Sequence, residues 1–149
     1  MYKILLIILL TLSTARTAAA MEDKMGIGII IGEPTGVSGK LWTSDLTAVD
    51  GALSWSFRNK GYFHIHADYL YHRFDLFEVT EGRMPFYYGI GGRIIFKDKS
   101  EAGIRVPFGV SYIMEGDHFG FFVEVVPILD LVPGTDIDFS GGIGARYYF

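Results

Sequence analysis

The sequence predicts an all-β protein, an eight-stranded antiparallel up-and-down transmembrane β-barrel, on three observations. Apolar and polar side chains alternate with a period of two in segment after segment, the mark of strands with two unlike faces. Hydrophobic residues make up 50% of the chain and aromatic ones 15%, yet beyond the N-terminus no run of about 18 apolar residues offers a membrane-spanning helix. The chain also ends on a strand pattern. Ile137, Phe139, Gly141, Ile143, Ala145, Tyr147 and Phe149 share one uncharged face, while Asp138, Ser140, Gly142, Gly144, Arg146 and Tyr148 share the other. Soluble termini usually trail off in polar residues. A final aromatic on an apolar face suits a barrel whose last strand pairs with its first, leaving no unbonded edge in lipid.

Residues 1–20 read as a secretory signal peptide: Lys3, then an apolar run over residues 4–12, then Ala18, Ala19 and Ala20 before Met21. That run is too short to cross a bilayer, which takes about 20 residues. Its removal leaves residues 21–149 as one barrel domain. Of 13 Lys and Arg, Lys3 and Arg16 leave with the signal, so 11 basic residues face 17 acidic ones at a net charge of -6. Nucleic acid is therefore not an expected partner. There is no cysteine, hence no disulfide framework and no thiolate chemistry.

The strands follow in order. Residues 24–32 set Met25, Ile27, Ile29 and Ile31 against mostly glycine, and Glu33, Pro34, Thr35 and Gly36 read as a tight turn. Residues 36–43 set Val37 and Leu41 against Ser38 and Lys40. Residues 46–57 set Val49, Leu53, Trp55 and Phe57 against Asp50, Ala52, Ser54 and Ser56, with residues 58–61 closing the hairpin. Residues 62–72 alternate most clearly, Phe63, Ile65, Ala67, Tyr69 and Tyr71 opposing His64, His66, Asp68 and His72. After a longer connection over residues 73–83, residues 84–97 oppose Phe86, Tyr88, Ile90, Ile94 and Phe96 to Gly89, Gly91 and Arg93. Residues 102–114 and 119–131 do the same around Arg105 and Glu124, and residues 136–149 close the ring. Pro107 and Pro127 each remove a ladder donor, which predicts a bulge or a weakened seam at both.

Alternation alone does not say which face is inside; crowding does. The apolar faces carry too many rings for the interior of eight strands, whereas Gly, Ala, Ser and isolated charges fit a narrow lumen. Aromatics near segment ends, such as Phe57, Tyr71, Phe86, Phe96, Tyr112 and Phe119, suit the girdles at the two membrane interfaces. The chain resembles the small eight-stranded outer-membrane barrels typified by the OmpA membrane domain and OmpX. It resembles more closely a family of short-looped outer-membrane barrels of spirochaetes and proteobacteria with no assigned activity. The phrases that carry this are GEPTGVSGKLW (32–42), DGALSWSF (50–57), HADYLYH (66–72), YYGIGGR (87–93) and VVPILDLVP (125–133). The resemblance implies a Gram-negative outer-membrane location, with membrane lipid and, during assembly, the outer-membrane insertion machinery as partners. Tyr147 and Phe149 match the signal that this machinery reads. A monomer without cofactor is expected.

By parity the lumen holds Lys40, Arg93, Arg105 and Arg146 with Asp50, Asp68, Glu124 and Asp138, and also His64, His66 and His72. Paired buried charges are tolerable, so the leading expectation is a non-catalytic barrel plugged by ion pairs, with a structural or surface-interaction role. The alternative is a lumen that binds or passes a small solute or lipid, or a lipid-modifying enzyme. His64, His66 and Asp68, two apart on one strand, could share a metal with His72 nearby, or complete a Ser-His-Asp site with Ser54 or Ser56. Glycines at Gly89, Gly91, Gly92, Gly141, Gly142 and Gly144 lack the following helix that a phosphate loop needs. With the C-terminus in the periplasm, residues 33–36, 58–61, 97–102 and 131–136 are the outer loops, all short, and residues 73–83 face the periplasm.

Overall fold

The computed structural model describes residues 24–56, 62–116 and 118–149. The signal-peptide reading of residues 1–20, Phe57 and the loop 58–61 lie outside the described residues. Nine segments form: β1 (Met25–Glu33), β2 (Thr35–Trp42), β3 (Thr47–Trp55), β4 (Phe63–Arg73), β5 (Phe86–Phe96), β6 (Glu101–Arg105), β7 (Phe108–Ile113), β8 (Phe119–Val132) and β9 (Asp136–Tyr148). All pair antiparallel, in sequence order around a ring that β1 and β9 close, Gly26 facing Tyr148 and Glu33 facing Gly141. Segments β6 and β7 are one stave of that ring. The register that sets Gly91 against Arg105 continues unshifted to Tyr88 against Phe108, and on the other side Arg105 faces Ile128 and Phe108 faces Val125. The ring thus has eight staves.

The prolines act differently from the expectation. Neither carries a bulge; the register shift lies at Ala102/Gly103 against β8. Pro107 interrupts only the hydrogen-bonding pattern between β6 and β7, and β8 runs unbroken through Pro127, which faces Phe139. The reason is that each proline still accepts: Gly89 N donates to Pro107 O at 3.1 Å and Val106 N to Pro127 O at 3.0 Å. What is lost is the reciprocal donor of each exchanged pair.

The 33–36 turn is tighter than expected, with Pro34 alone between β1 and β2 and Thr35 Oγ1 bonded to both Gly32 N and Gly32 O. The connection after β4 is partly ordered by pairing. Arg83 exchanges backbone bonds with Ile113, Ser111 N donates to Pro85 O, and Tyr112 Oη donates to Glu81 O at 3.0 Å.

The strands alternate in burial as strictly as in sequence, β4 burying His64, His66, Asp68, Leu70 and His72. Their other faces are bare: Val125 is 63% exposed, Phe139 65% and Ile137 69%. A continuous apolar wall of this kind requires lipid, not water. The lumen is bulkier than expected, since Ile30, Leu70, Tyr87 and Phe122 cluster inside it. They escaped the alternation reading because several adjoin outward rings, Tyr87 beside Tyr88 and Phe122 beside Phe121.

Candidate functional site

Side chains of even number on β1 to β4, β8 and β9, and of odd number on β5 to β7, point inward with their charges, so the lumen is built row by row from the register. Asp68 on β4 lies opposite Gly91 on β5, which lies opposite Arg105 on β6. Across that glycine Arg105 grips Asp68 with two bonds, Nε to Oδ1 at 2.9 Å and Nη2 to Oδ2 at 3.1 Å. A Cβ at Gly91 would stand 1.9 Å from Asp68 Oδ1, so the glycine is the passage through which the pair forms.

The arrangement recurs. Arg93 reaches over Gly103 to Asp130, with bonds of 3.2 and 2.7 Å, and also donates to Asp138 at 3.0 Å. Tyr87 Oη reaches over Gly109 to Glu124 Oε1 at 3.0 Å. Arg146 reaches over Gly28 to Ser38 Oγ at 3.0 and 2.8 Å, and its Nη2 donates to Asp50 Oδ2 at 3.1 Å. Its guanidinium also lies 4.1 Å over the Phe122 ring. Glu124 lies 3.7 Å from Arg105, joining the Tyr87 row to the Asp68 row. Arg93, Arg105, Arg146, Asp50, Asp68, Glu124 and Asp130 are all buried; Asp138, half-exposed, sits at the mouth.

Lys40 and His72 form a separate group toward the chain-terminal end. Lys40 Nζ donates to His72 Nε2 at 2.7 Å, so His72 Nδ1 carries the ring proton and donates to Leu46 O at 3.0 Å. The ammonium lies 4.4 Å over Trp42 and 5.4 Å over Tyr87. Phe74 and Trp42 stand 6.4 Å apart, and each also lies against the His72 ring, at 6.4 and 4.3 Å.

The histidines do not gather as one site. His64 lies beside Ser54, His66 beside Ala52 and Arg93, and His72 with Lys40. The metal-ligand set the structure brings together is instead Asp50, His66 and Asp68, with one ligand atom each within 4.8 Å of the others. Its donor chemistry suits a cation poorly. Both oxygens of Asp68 are bonded to Arg105 and one oxygen of Asp50 to Arg146, which places two guanidinium charges where a cation would add a third. Among the described residues four buried atoms, Asp50 Oδ1, Ser54 Oγ, His64 Nε2 and His66 Nδ1, have no partner, and all belong to β3 and β4. Ser56 is engaged elsewhere, donating to Glu33.

Compared with solved structures, the chain is similar to the N-terminal β-barrel domain of OprF from Pseudomonas aeruginosa, with a TM-score of 0.64 at 15% identity over 86% of this chain and 98% of that one. It is also similar to Neisserial surface protein A, NspA, with a TM-score of 0.52 at 16% identity over 85% and 94%. This chain has the small eight-stranded β-barrel fold of these proteins. No family model and no curated protein matches it.

Within the barrel, Tyr147 and Phe149 face outward at the terminal end, Tyr147 in edge contact with Phe119 at 5.1 Å. Asp130 is a buried lumen carboxylate, bonded to Arg93, that is absent from the charges expected by parity. It shares parity with Glu124 on the same strand, a signal that was present, but its place beside the turn hid it. Tyr87 and Ser38, which complete two of the rows, had no charge to draw notice.

Proposed function

We propose that the protein is an exported, monomeric, non-catalytic component of a Gram-negative outer membrane, whose lumen is closed by ion pairs and whose role is structural or at the surface. The observation that carries this is the pairing of three buried guanidiniums, Arg93, Arg105 and Arg146, with carboxylates inside a ring of eight staves. Eight strands leave an interior little wider than its own side chains. The likeness to the OprF barrel and to a surface protein supports the location. The signal peptide ends at Ala20, residues 21–149 form the mature barrel, and Tyr147 and Phe149 carry the insertion signal. Short outer loops leave little area for a large protein partner.

Planar-bilayer recording of refolded protein tests the closure. Silence is expected; steady single-channel conductance means a pore. One observation favours a second reading, a lumen that binds a small solute or acts on lipid: Ser54 faces His64 in the register, and Ser54 Oγ and His64 Nε2 are both without protein partners. Turnover of an ester or lipid substrate that is lost in Ser54→Ala would establish it.

A further inference from the structure

Along β4, Phe63, Ile65, Ala67, Tyr69, Tyr71 and Arg73 share the outward parity, and Arg73 is the one charge among them. It comes one pleat after Tyr71, whose ring lies 5.7 Å from that of Tyr88, at the level where the apolar wall ends. Aromatic rings of this kind sit at headgroup depth. Arg73 holds Asp75 with two bonds, Nε to Oδ1 at 3.1 Å and Nη2 to Oδ2 at 2.7 Å, and the two side chains remain 44% and 66% exposed. Beside this pair opens a cleft of about 540 Å³, lined by Leu46, Tyr71, His72, Phe74 and Tyr88 together with the pair itself.

Leu46, Tyr71 and Tyr88 are exposed and continuous with the lipid-facing wall. The cleft thus places a fixed cation next to a fixed anion, with an apolar shelf leading away into the bilayer. The hydrogen bond from Arg73 holds the Asp75 carboxyl below the usual carboxylate range, so it is an anion at neutral pH. An exposed ion pair in water gains little for stability. At headgroup depth the same pair is complementary to a dipole of matching size.

We propose that this cleft seats the headgroup of a zwitterionic phospholipid, its phosphate on Arg73 and its primary ammonium on Asp75. The Nε and Nη2 edge of Arg73 is held by Asp75, and the hydrogens of Nη1 with the second one of Nη2 are left to donate to a phosphate. Asp75 repels a lipid with net negative charge, and it distinguishes a primary ammonium, which donates hydrogen bonds, from a quaternary one, which donates none. The assignment rests on the membrane reading of the barrel.

The test uses purified protein in detergent, its β-sheet circular dichroism showing that it is folded. It is offered equal amounts of phosphatidylethanolamine, phosphatidylglycerol and phosphatidylcholine, and retained lipid is counted by native mass spectrometry. Phosphatidylethanolamine is expected to exceed the other two by roughly two- to fivefold, the range open to one exposed pair. Asp75→Asn should turn the order toward phosphatidylglycerol, and Arg73→Gln should erase it. Equal retention of all three, or an order that neither variant changes, overturns the proposal. Displacement of the lipid by inorganic phosphate alone would make the site one for free phosphate and overturn it too; no displacement is expected. If the dichroism shows no folded barrel in any lipid, the membrane reading itself fails and the proposal with it.

Discussion

Two walls of the lumen are built from similar residues and end differently. On the wall that runs from β5 through β6, β7 and β8, each long polar side chain has a glycine between it and its partner: Arg93 and Asp130 across Gly103, Tyr87 and Glu124 across Gly109. On the β3–β4 wall the inward residues meet directly, Asp50 against Asp68, Ala52 against His66, Ser54 against His64. The first wall is satisfied by its own side chains and, at Arg105, by Asp68 of β4 across Gly91. Among the described residues, all four partnerless buried atoms lie on the second. Adjacent staves are too close for two long side chains to stretch toward each other, whereas a vacant position between them gives both the space to meet. In a narrow barrel, polar satisfaction depends on where side chains are missing as much as on which are present.

The largest effect should come from filling one of those vacancies. Gly91→Ala pushes a methyl group into Asp68 Oδ1 and Ala67 O and parts Asp68 from Arg105, a loss of about 3–5 kcal/mol when a buried pair is broken. The urea midpoint of unfolding in detergent measures it. The same measurement on Ala52→Gly, which opens a vacancy on the other wall, should show a change of less than about 1 kcal/mol. Equal shifts in the two would erase the contrast between the walls.

Next in size is the outward face itself. Ala67→Arg places a charge on the lipid side of β4 near mid-strand and should cost roughly 2–4 kcal/mol in vesicles, with Ala67→Leu near neutral. An arginine tolerated as well as leucine would reverse the assignment of faces.

Glu124→Gln should come third. It keeps a polar group for Tyr87 but withdraws the charge near Arg105, a loss of about 1.5–3 kcal/mol for a charged hydrogen-bonding group. Smallest of all should be the double change His64→Ala with His66→Ala, within about 1 kcal/mol, since one nitrogen of each ring is partnerless and His66 Nε2 lies no closer than 3.9 Å to Asp68 Oδ2. Elemental analysis of the purified protein should find no stoichiometric metal. Zinc that the histidine changes release would instead make the β3–β4 wall a binding site.

Which side chains face the lumen was readable from parity alone, because a period of two leaves no freedom once one residue of a strand is placed. His64, Asp68, Arg105 and Glu124 all lie where that rule puts them. Who pairs with whom was not readable. That depends on stagger between strands distant in sequence, Ser38 and Arg146 for example, and turn length does not report it across the whole ring. The role of the glycines was hidden for the same reason: Gly91 matters through Asp68 and Arg105, neither of which neighbours it along the chain. The apolar lumen residues were missed where both faces of a strand are apolar, as at Phe121 and Phe122, so that alternation carries no contrast.

The prolines at Pro107 and Pro127 leave the carbonyls of Gly89 and Val106 without their reciprocal donors, on opposite flanks of a single residue pair. The register shift at Ala102/Gly103 falls on the same stave, so among the described residues the ladder is not cross-tied equally around the circumference. The barrel has a compliant meridian. A thinner or more crowded membrane is expected to deform the wall along that line first.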